Sequence, residues 1–364
     1  MTKQAKEEGI DKLSWPKFHE MFKQKNLAIH KLKKDLCDYC CKYELLVKAG
    51  SATEEDANRH QQHRNDVISM RNEKARDKKL IVDDHLVMVV DVEKVMPLPK
   101  LNNSSQYYLH KLQLKNYTTY NLQTKAVLCY LIIEFEGGSD ANIFASLLRD
   151  VIRRKKIENP NIMYVIVYSD CCASQNRNAT LSNALLDLAI ELNITIIQKF
   201  LITGHSQNEG DSVHSSIEGA VRNKELYSLV DYLAAVERAR RNEASGGRAG
   251  ATAYQAELVS HTKFENFENC KYYSSIRPGQ GPGSPTVNQL RALMYTPEGQ
   301  IFYKLVITEE WTPMPHKLLQ PSPNISAKYT EQIPISAAKY RDLQKLKSFV
   351  PAEHHSFYEQ IPHL

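Results

Sequence analysis

Residues 161–178 read NIMYVIVYSDCCASQNRN, an apolar and β-branched run that ends in a dense polar cluster. The run is typical of a buried strand, and the polar cluster starts at Asp170, where that strand should end. Residues 178–193 have the apolar spacing of an amphipathic helix, and 194–202 (ITIIQKFLI) again resemble a strand. Strand, helix and strand in this order predict two parallel neighbours, with Asp170 at the carboxyl end of the first.

The segments before this unit extend the predicted sheet. Residues 85–95 (HLVMVVDVEKV), 107–122 and 125–136 are rich in β-branched and apolar residues, and 137–156 have helical spacing. The resulting order, β-β-β-α-β-α-β-α, predicts an α/β fold. We expect a mixed sheet of three antiparallel strands followed by two parallel strands, flanked by helices.

Composition divides the chain into four predicted regions. Residues 1–80 are basic, polar and helical in pattern, and residues 81–243 hold the α/β core. Residues 244–286 contain ASGGRAGATA and RPGQGPGSP, which are typical of a flexible linker or insertion. Residues 287–364 predict a hairpin with Thr-Pro-Glu-Gly at its turn, followed by a basic helix.

Charge and cysteine content limit the cellular setting. The 364 residues carry a net charge of +5, which is compatible with an anionic partner without requiring one. Seven cysteines with irregular spacing favour a reducing compartment, so we expect a nuclear or cytoplasmic protein that is not secreted. No apolar stretch approaches the ~20 residues that span a bilayer, and we expect no membrane partner.

Three acids fall at special positions in the predicted sheet. Asp91 interrupts an apolar strand, Asp170 ends another, and Asp211 starts the helix after the last strand. A charged residue in an apolar strand is costly unless it is paired or bound to metal. Parallel strands would bring the first two acids together, and their oxygen ligands favour Mg²⁺ or Mn²⁺. Two such ions would serve phosphoryl transfer, with a catalytic role for the acids.

The helix after the last strand leaves the third acid open. Asp211, His214 and Glu218 share one helical face, so each is a candidate for the same pocket, His214 as a further metal ligand. We favour Asp211 as the third acid because Glu218 lies ~10 Å further along the helix at ~1.5 Å per residue.

A polar rim for phosphate is predicted next to these acids. Amide and guanidinium groups at the start of a helix favour an anion. The candidates are Gln175, Asn176, Arg177, Asn178 and, from the Gly-flanked loop FLITGHSQNEGD, His205.

A second metal site is predicted near the amino terminus. Cys37 and Cys40 have the spacing of half a zinc site, and His60 and His63 follow on a predicted helix. The alternative is a helical packing core with free cysteines.

Three blocks, DVEKVMPLP, SDCCASQNRN and KFLITGHSQNEGDSVHSSIE, resemble in this order a family of transposase-like proteins of animal genomes. The resemblance covers about residues 30–350. It implies a ribonuclease H-like integrase core of the DDE/D type that cleaves or joins DNA strands with metal ions. It also implies that Asp91 and Asp170 are the first two catalytic acids, and it allows a homo-oligomer of the kind that transposases form.

Only about 80 residues precede the first predicted strand, fewer than full-length transposases of this kind carry. We therefore expect a truncated or domesticated copy that binds DNA without sequence readout. The alternative is an inactive descendant that binds nucleic acid or protein. A third hypothesis, a cysteine-dependent hydrolase using Cys171, lacks a clear Cys/His spacing.

Overall fold

A computed structural model describes residues 14–25, 36–240, 252–279 and 281–364. Within these segments, ten strands form one mixed sheet with helices against both faces, which confirms the α/β class. Its central strands are β1 (His85–Val92), β2 (Met96–Leu98), β3 (Leu112–Asn121), β4 (Val127–Ile133), β5 (Tyr164–Ser169) and β6 (Thr195–Phe200). Its outer strands are β7 (Gln255–Leu258), β10 (Ala292–Tyr295), β11 (Ile301–Lys304) and β12 (Thr312–Pro313).

The sheet order is β12-β11-β10-β6-β5-β1-β3-β4-β7, with β2 paired to β3. Strands β1, β3 and β4 are antiparallel neighbours, and β5 and β6 continue the sheet parallel to β1, as the sequence predicts. The predicted strand at 107–122 starts later than expected, because residues Ser105–Tyr108 form the short helix α4. Because β1 and β5 are parallel neighbours, acids at the carboxyl ends of these two strands lie at the same edge of the sheet.

The other helices are α1 (Trp15–Gln24), α2 (Asp38–Lys48), α3 (Glu54–Asp77), α5 (Ala141–Glu158), α6 (Ala179–Leu192), α7 (Glu209–Val221), α8 (Leu229–Glu237), α9 (Ala337–Lys347) and α10 (His355–Glu359). Helices α5 and α6 cover one face of the sheet, while α3, α7, α8 and α9 pack on the other. Strand β1 serves both faces, because Leu86, Met88 and Val90 point to one core and Val87 and Val89 to the other. None of the helices in the described segments is both long and apolar enough to cross a bilayer.

The region predicted as a linker, 244–286, is built into the fold where the structure describes it. Strand β7 pairs parallel to β4, and two small two-stranded sheets are formed by β8 (Glu265–Asn266) with β14 (Ser326–Ala327) and by β9 (Cys270–Tyr273) with β13 (Lys317–Pro323). Phe264, Phe267 and Tyr273 are buried in the core under α5 and α6. Residues 252–279 thus form an insertion with strands of its own, the second of the two alternatives predicted for this region, while 244–251 and Gln280 lie outside the described residues.

The predicted hairpin after this region is confirmed as β10–β11, and β10 also pairs antiparallel to β6. The predicted basic helix is α9, whose Leu343 and Leu346 are buried.

The helical amino-terminal region is docked on the sheet through α3. Thr53 and Asp56 form a capping box that starts this helix. Near its end, Val67 and Met70 are buried against β1 and β5. The side chain of Lys199, on β6, donates to Asp77 and Glu73 of α3 at 2.5 Å each.

Candidate functional site

Asp91 and Asp170 lie side by side at the carboxyl ends of two adjacent parallel strands. In the register of this pair, Val89 is opposite Tyr168, and continuing it by two residues brings Asp91 level with Asp170. Asp91 is the last but one residue of β1, and Asp170 directly follows β5. The register of β1 and β5 therefore places both acids at the same edge of the sheet, as the sequence predicts.

Asp211 reaches the same cleft from the start of α7. Asn208 caps this helix, and the Asp211 carboxylate accepts from the Asn208 backbone N–H at 2.8 Å in a reciprocal capping box. The cleft, about 350 Å³ in volume, is lined by Asp91, Asp170 and Asp211 together with Leu36, Gly204, Ser206, Gln207 and Asn208. We call this cleft the acid pocket.

The start of α7 lies very close to Asp91. The Asn208 side-chain amide donates to Asp91 Oδ2 at 3.2 Å. A Cβ atom on Gly210 would come within 2.8 Å of the Asp91 Cβ and within 3.1 Å of Oδ2. Only a residue without a side chain fits at this position, so the glycine allows the helix to approach the acid.

The electrostatics of Asp91 show that the acids influence one another. Burial of the carboxyl is the largest contribution and raises its pKa to about 6. The negative charges of Asp211 and Asp170 raise the pKa further, while hydrogen bonds from Asn208 and Val92 lower it. Three carboxyl groups gathered in this way are stabilised when a cation joins them.

Asp170 is held by the turn that follows it. Its Oδ1 accepts from the Cys172 backbone N–H at 3.0 Å and from the Asn176 side-chain amide at 2.7 Å. Asn176 is itself buried, and its carbonyl accepts from Gln198 at 2.6 Å. Asn176 therefore orients the acid, and this role differs from the predicted contact with phosphate.

The rest of the predicted phosphate rim is largely structural. Arg177 is buried, donates to the carbonyls of Asn288 and Cys171 at 2.9 and 3.2 Å, and lies over the Phe200 ring. Asn178 caps α6 by accepting from the Leu181 N–H at 2.8 Å. These contacts do not support a phosphate-binding role for either residue. Both side chains bind the protein's own groups, and the Arg177 Nε, which has no partner among the described residues, is buried away from the surface. Gln175 lies half-buried in the same turn.

Glu218 and His214 do not face the acid pocket, although they share a helix with Asp211. Glu218 pairs with Lys94 at 2.5 Å and lines a different cleft. His214 turns toward the sheet, where its Nε2 lies 3.1 Å from the Thr118 hydroxyl, and burial lowers its pKa to about 4. Of the two candidates for the third acid, only Asp211 lines the acid pocket, and the predicted metal ligand His214 is not among the residues that line it.

Four side chains form a second group with metal-binding chemistry, the Cys2His2 cluster of Cys37, Cys40, His63 and His205. One ligand atom from each lies within 4.8 Å of the others, with Cys37 Sγ 3.4 Å from His63 Nε2 and Cys40 Sγ 3.5 Å from His205 Nε2. This cluster could hold a metal ion such as zinc.

The ligand set differs from the predicted one in one residue. His60 stacks on Tyr43, with ring centroids 4.1 Å apart, and lies outside the cluster. His205, predicted as a phosphate contact, takes its place. The sequence offered no signal for this exchange, because His60 and His63 together completed the predicted set of four ligands.

Cys171 and Cys172 lack the partner that a nucleophile needs. The Cys171 thiol donates to the Leu201 carbonyl at 2.9 Å, and the Cys172 thiol lies 3.3 Å from the Ser174 hydroxyl. Within the described part of the chain, neither thiol is hydrogen-bonded to a histidine.

Comparison with protein-family models finds no matching family, and comparison with curated proteins finds no similar chain.

One residue of the acid pocket and one carboxylate outside it were missed at the sequence level. Asn208 contacts Asp91, and its Asn-x-x-Asp spacing to Asp211 is a capping signal that the sequence does contain. Glu93 is buried beside Asn116, and burial raises its pKa to about 7. Glu93 lines a cleft separate from the acid pocket, and Glu218 lines the same cleft.

Proposed function

We propose that the protein carries a ribonuclease H-like core that cleaves or joins DNA strands with Mg²⁺ or Mn²⁺. The observation that carries the proposal is the acid pocket, which Asp91, Asp170 and Asp211 line together. The strand order β4-β3-β1-β5-β6, antiparallel and then parallel, supports it because the transposase-like resemblance implies the same arrangement. Asp91, Asp170 and Asp211 are the proposed catalytic residues.

Carboxylates are the ligand type that a hard divalent cation prefers. Among the described residues, however, only the Cys2His2 cluster brings its ligand atoms within 4.8 Å of one another, so the three carboxylates of the acid pocket would have to move closer together around an ion. Mg²⁺ and Mn²⁺ prefer carboxylate oxygens and retain water molecules that substrate oxygens can replace. The raised pKa of Asp91 reflects burial near two other acids, and a bound cation would favour its ionised form. When bound, two such ions would supply Lewis-acid stabilisation of the scissile phosphate and activation of water or a 3′-hydroxyl.

The protein's own groups would orient these ligands. Asn208 and the Val92 N–H each donate to one oxygen of Asp91, which fixes the carboxylate plane. Asn176 and Cys172 donate to the same oxygen of Asp170, and its Oδ2 has no hydrogen-bond donor among the described residues. That oxygen is available to a cation.

Phosphate contacts would come from α3 instead of the turn after β5. Arg64 and Arg71 lie on this helix close enough to His205 for their charges to affect its pKa, which burial lowers. Neither arginine forms a salt bridge to any residue that the structure describes. Such contacts to the DNA backbone would be independent of sequence and sensitive to salt.

The experiment is a nicking assay with supercoiled DNA and Mn²⁺, comparing the wild-type chain with Asp170→Asn and with Glu218→Gln. We expect metal-dependent nicking that falls at least 100-fold in Asp170→Asn, because a pocket ligand is lost, consistent with the ~2.7–4 kcal/mol of a lost charge-stabilising group. Glu218→Gln is the matched control and should retain activity, since Glu218 pairs with Lys94.

Two results would contradict the proposal. Nicking that is unchanged in Asp170→Asn would exclude the acid pocket as the active site. Loss of nicking in Glu218→Gln, with Asp211→Asn still active, would assign the third acid to Glu218 instead.

A non-catalytic module that binds nucleic acid or protein is the second candidate. It is favoured by one observation, that Asp91 and Asp170 each accept hydrogen bonds from amide groups of the protein itself. Salt-sensitive DNA binding with no nicking in Mn²⁺ would support it over the enzyme.

A further inference from the structure

Two spacings within the Cys2His2 cluster match those of a tetrahedral zinc site. Zinc lies ~2.3 Å from sulfur and ~2.0–2.1 Å from nitrogen, so neighbouring ligand atoms of a tetrahedron are about 3.4–3.8 Å apart. The two measured sulfur-to-nitrogen distances, 3.4 and 3.5 Å, agree with this spacing before any ion is added. A set of two thiolates and two imidazoles also favours zinc over Mg²⁺ and Mn²⁺, which prefer oxygen ligands.

The four ligands come from three separate parts of the chain. Cys37 and Cys40 lie at the start of α2, and His63 lies in α3. His205 lies in the loop between β6 and α7, 165 residues from Cys40. An ion held by all four therefore joins the amino-terminal helices to a loop of the α/β core.

The loop residue before His205 is in tight contact with α2. Gly204 has a φ of +76°, and a Cβ atom there would lie 2.7 Å from the Cys37 Cβ and 2.8 Å from its Sγ. The His205 N–H donates to the Ile202 carbonyl at 2.8 Å, which closes a turn. The backbone is thus shaped to present His205 to the two cysteines.

The same loop continues into the acid pocket. Ser206, Gln207 and Asn208 line that pocket directly after His205. The Asn208 side chain donates to the Ser206 carbonyl at 3.1 Å and to Asp91, and its oxygen accepts from the Gly210 N–H at 2.7 Å. The position of the loop therefore determines where Asn208 meets Asp91 and where α7 begins.

We propose that Cys37, Cys40, His63 and His205 bind one zinc ion, which fixes the loop of residues 203–208 and thereby positions Asn208 against Asp91. His205 is a positioning residue in this arrangement. The proposal rests on the geometry of the two sites and is independent of whether the acid pocket cleaves DNA.

The first test is zinc binding by the full chain, with the zinc content measured by mass spectrometry and the affinity by competition with a chelator. Cys40→Ser and His205→Asn are compared with Cys41→Ser and His60→Asn. The two controls change the same residue types on α2 and α3 outside the cluster. We expect one zinc per chain in the wild type and in both controls, and at least a tenfold loss of zinc affinity in the two ligand variants. Cobalt substitution should give the intense absorption of a tetrahedral site with two thiolates.

The second test is hydrogen exchange of the loop, which a purely local metal site would not change. Removing zinc from the wild type with a chelator should speed exchange of the Asn208 and Gly210 amides at least tenfold, with the β5 amides unchanged. This arm needs no variant, so a ligand variant that fails to fold leaves the proposal testable.

Two outcomes would overturn the proposal. Zinc affinity that is unchanged in His205→Asn would exclude the fourth ligand. Unchanged exchange at Asn208 and Gly210 after zinc removal would exclude the positioning role. Neither readout involves DNA, so failure of the nicking assay would leave both results interpretable.

Discussion

Acids of one chemical type acquire different roles here through their immediate partners. Asp91 is half-buried, and burial together with the charges of Asp211 and Asp170 raises its pKa to about 6, although two amide groups donate to it. Glu218 pairs with a lysine at a partly exposed position, where an ion pair contributes little to stability. Asp211 is exposed and accepts from the Asn208 N–H in a capping box. The partner of each carboxylate, more than its place in the sequence, decides which acid can serve a metal ion.

The pKa of His214 also depends on its surroundings, and its shift predicts how the stability of the protein changes with pH. Burial lowers its pKa from 6.5 to about 4, so the folded protein favours the neutral ring. A base with a depressed pKa contributes stability that is fully present above pH 6.5 and is lost as the pH falls through 4. Between pH 7 and pH 4, the wild type should therefore lose on the order of 2–3 kcal/mol more unfolding free energy than His214→Gln.

Denaturant unfolding at several pH values measures this difference directly. Asp211 and Glu218 oppose the effect of burial, because their charges raise the pKa of the ring. An identical acid-induced loss in the wild type and in His214→Gln would show that the ring ionises without cost inside the fold.

The first turn of helix α7 forms one wall of the acid pocket, so changes in this helix affect the position of the acids. Two glycines of this helix make a matched pair. A Cβ on Gly210 would lie 2.8 Å from the Cβ of Asp91, whereas one on Gly219 would meet nothing within 4 Å. Gly210→Ala should therefore lower the free energy of unfolding by ~1–3 kcal/mol through overpacking. Gly219→Ala should raise it by ~0.5–1 kcal/mol through helix propensity. Denaturant unfolding of both variants tests the pair, and equal stability would contradict the close approach of α7 to Asp91.

At the level of elements, most of the central sheet could be predicted because its signals are local. Strands β1, β5 and β6 are short β-branched runs, and the intervening helices have clear apolar spacing. The convergence of Asp91 and Asp170 follows from the parallel pairing alone. Arg177 was misassigned for a related reason, because a polar run looks like a surface turn unless the segment that covers it, around Asn288, is known.

At the scale of the whole molecule, the missed features depend on pairs of residues that are distant in sequence. Strand β7 joins the sheet beside β4 after two helix–strand units and two further helices, and no local pattern specifies that pairing. His205 completes the Cys2His2 cluster from a loop that its sequence spacing does not connect to Cys37. The amino-terminal region, expected as a separate module, is therefore joined to the core through contacts that only the folded chain reveals.

Lys199 provides a test of that junction at the scale of the whole molecule. Its buried side chain lies between Glu73 and Asp77 of α3, and Asp77 also accepts from the Tyr168 hydroxyl at 2.5 Å. Lys199→Met would leave Asp77 without a cationic partner at a buried contact, while Glu73 would keep only its pair with the exposed Arg76, so we expect a loss of about 3–5 kcal/mol in unfolding free energy.

Lys155→Met is the control, because Lys155 pairs with the exposed Glu158 on α5 and should cost less than about 1 kcal/mol. Combining Lys199→Met with Glu73→Gln and Asp77→Asn should recover part of the loss, since the buried charges are then removed together. Equal stability of Lys199→Met and Lys155→Met in denaturant unfolding would mean that α3 is held by its apolar contacts, Val67 and Met70, without help from the ion pairs.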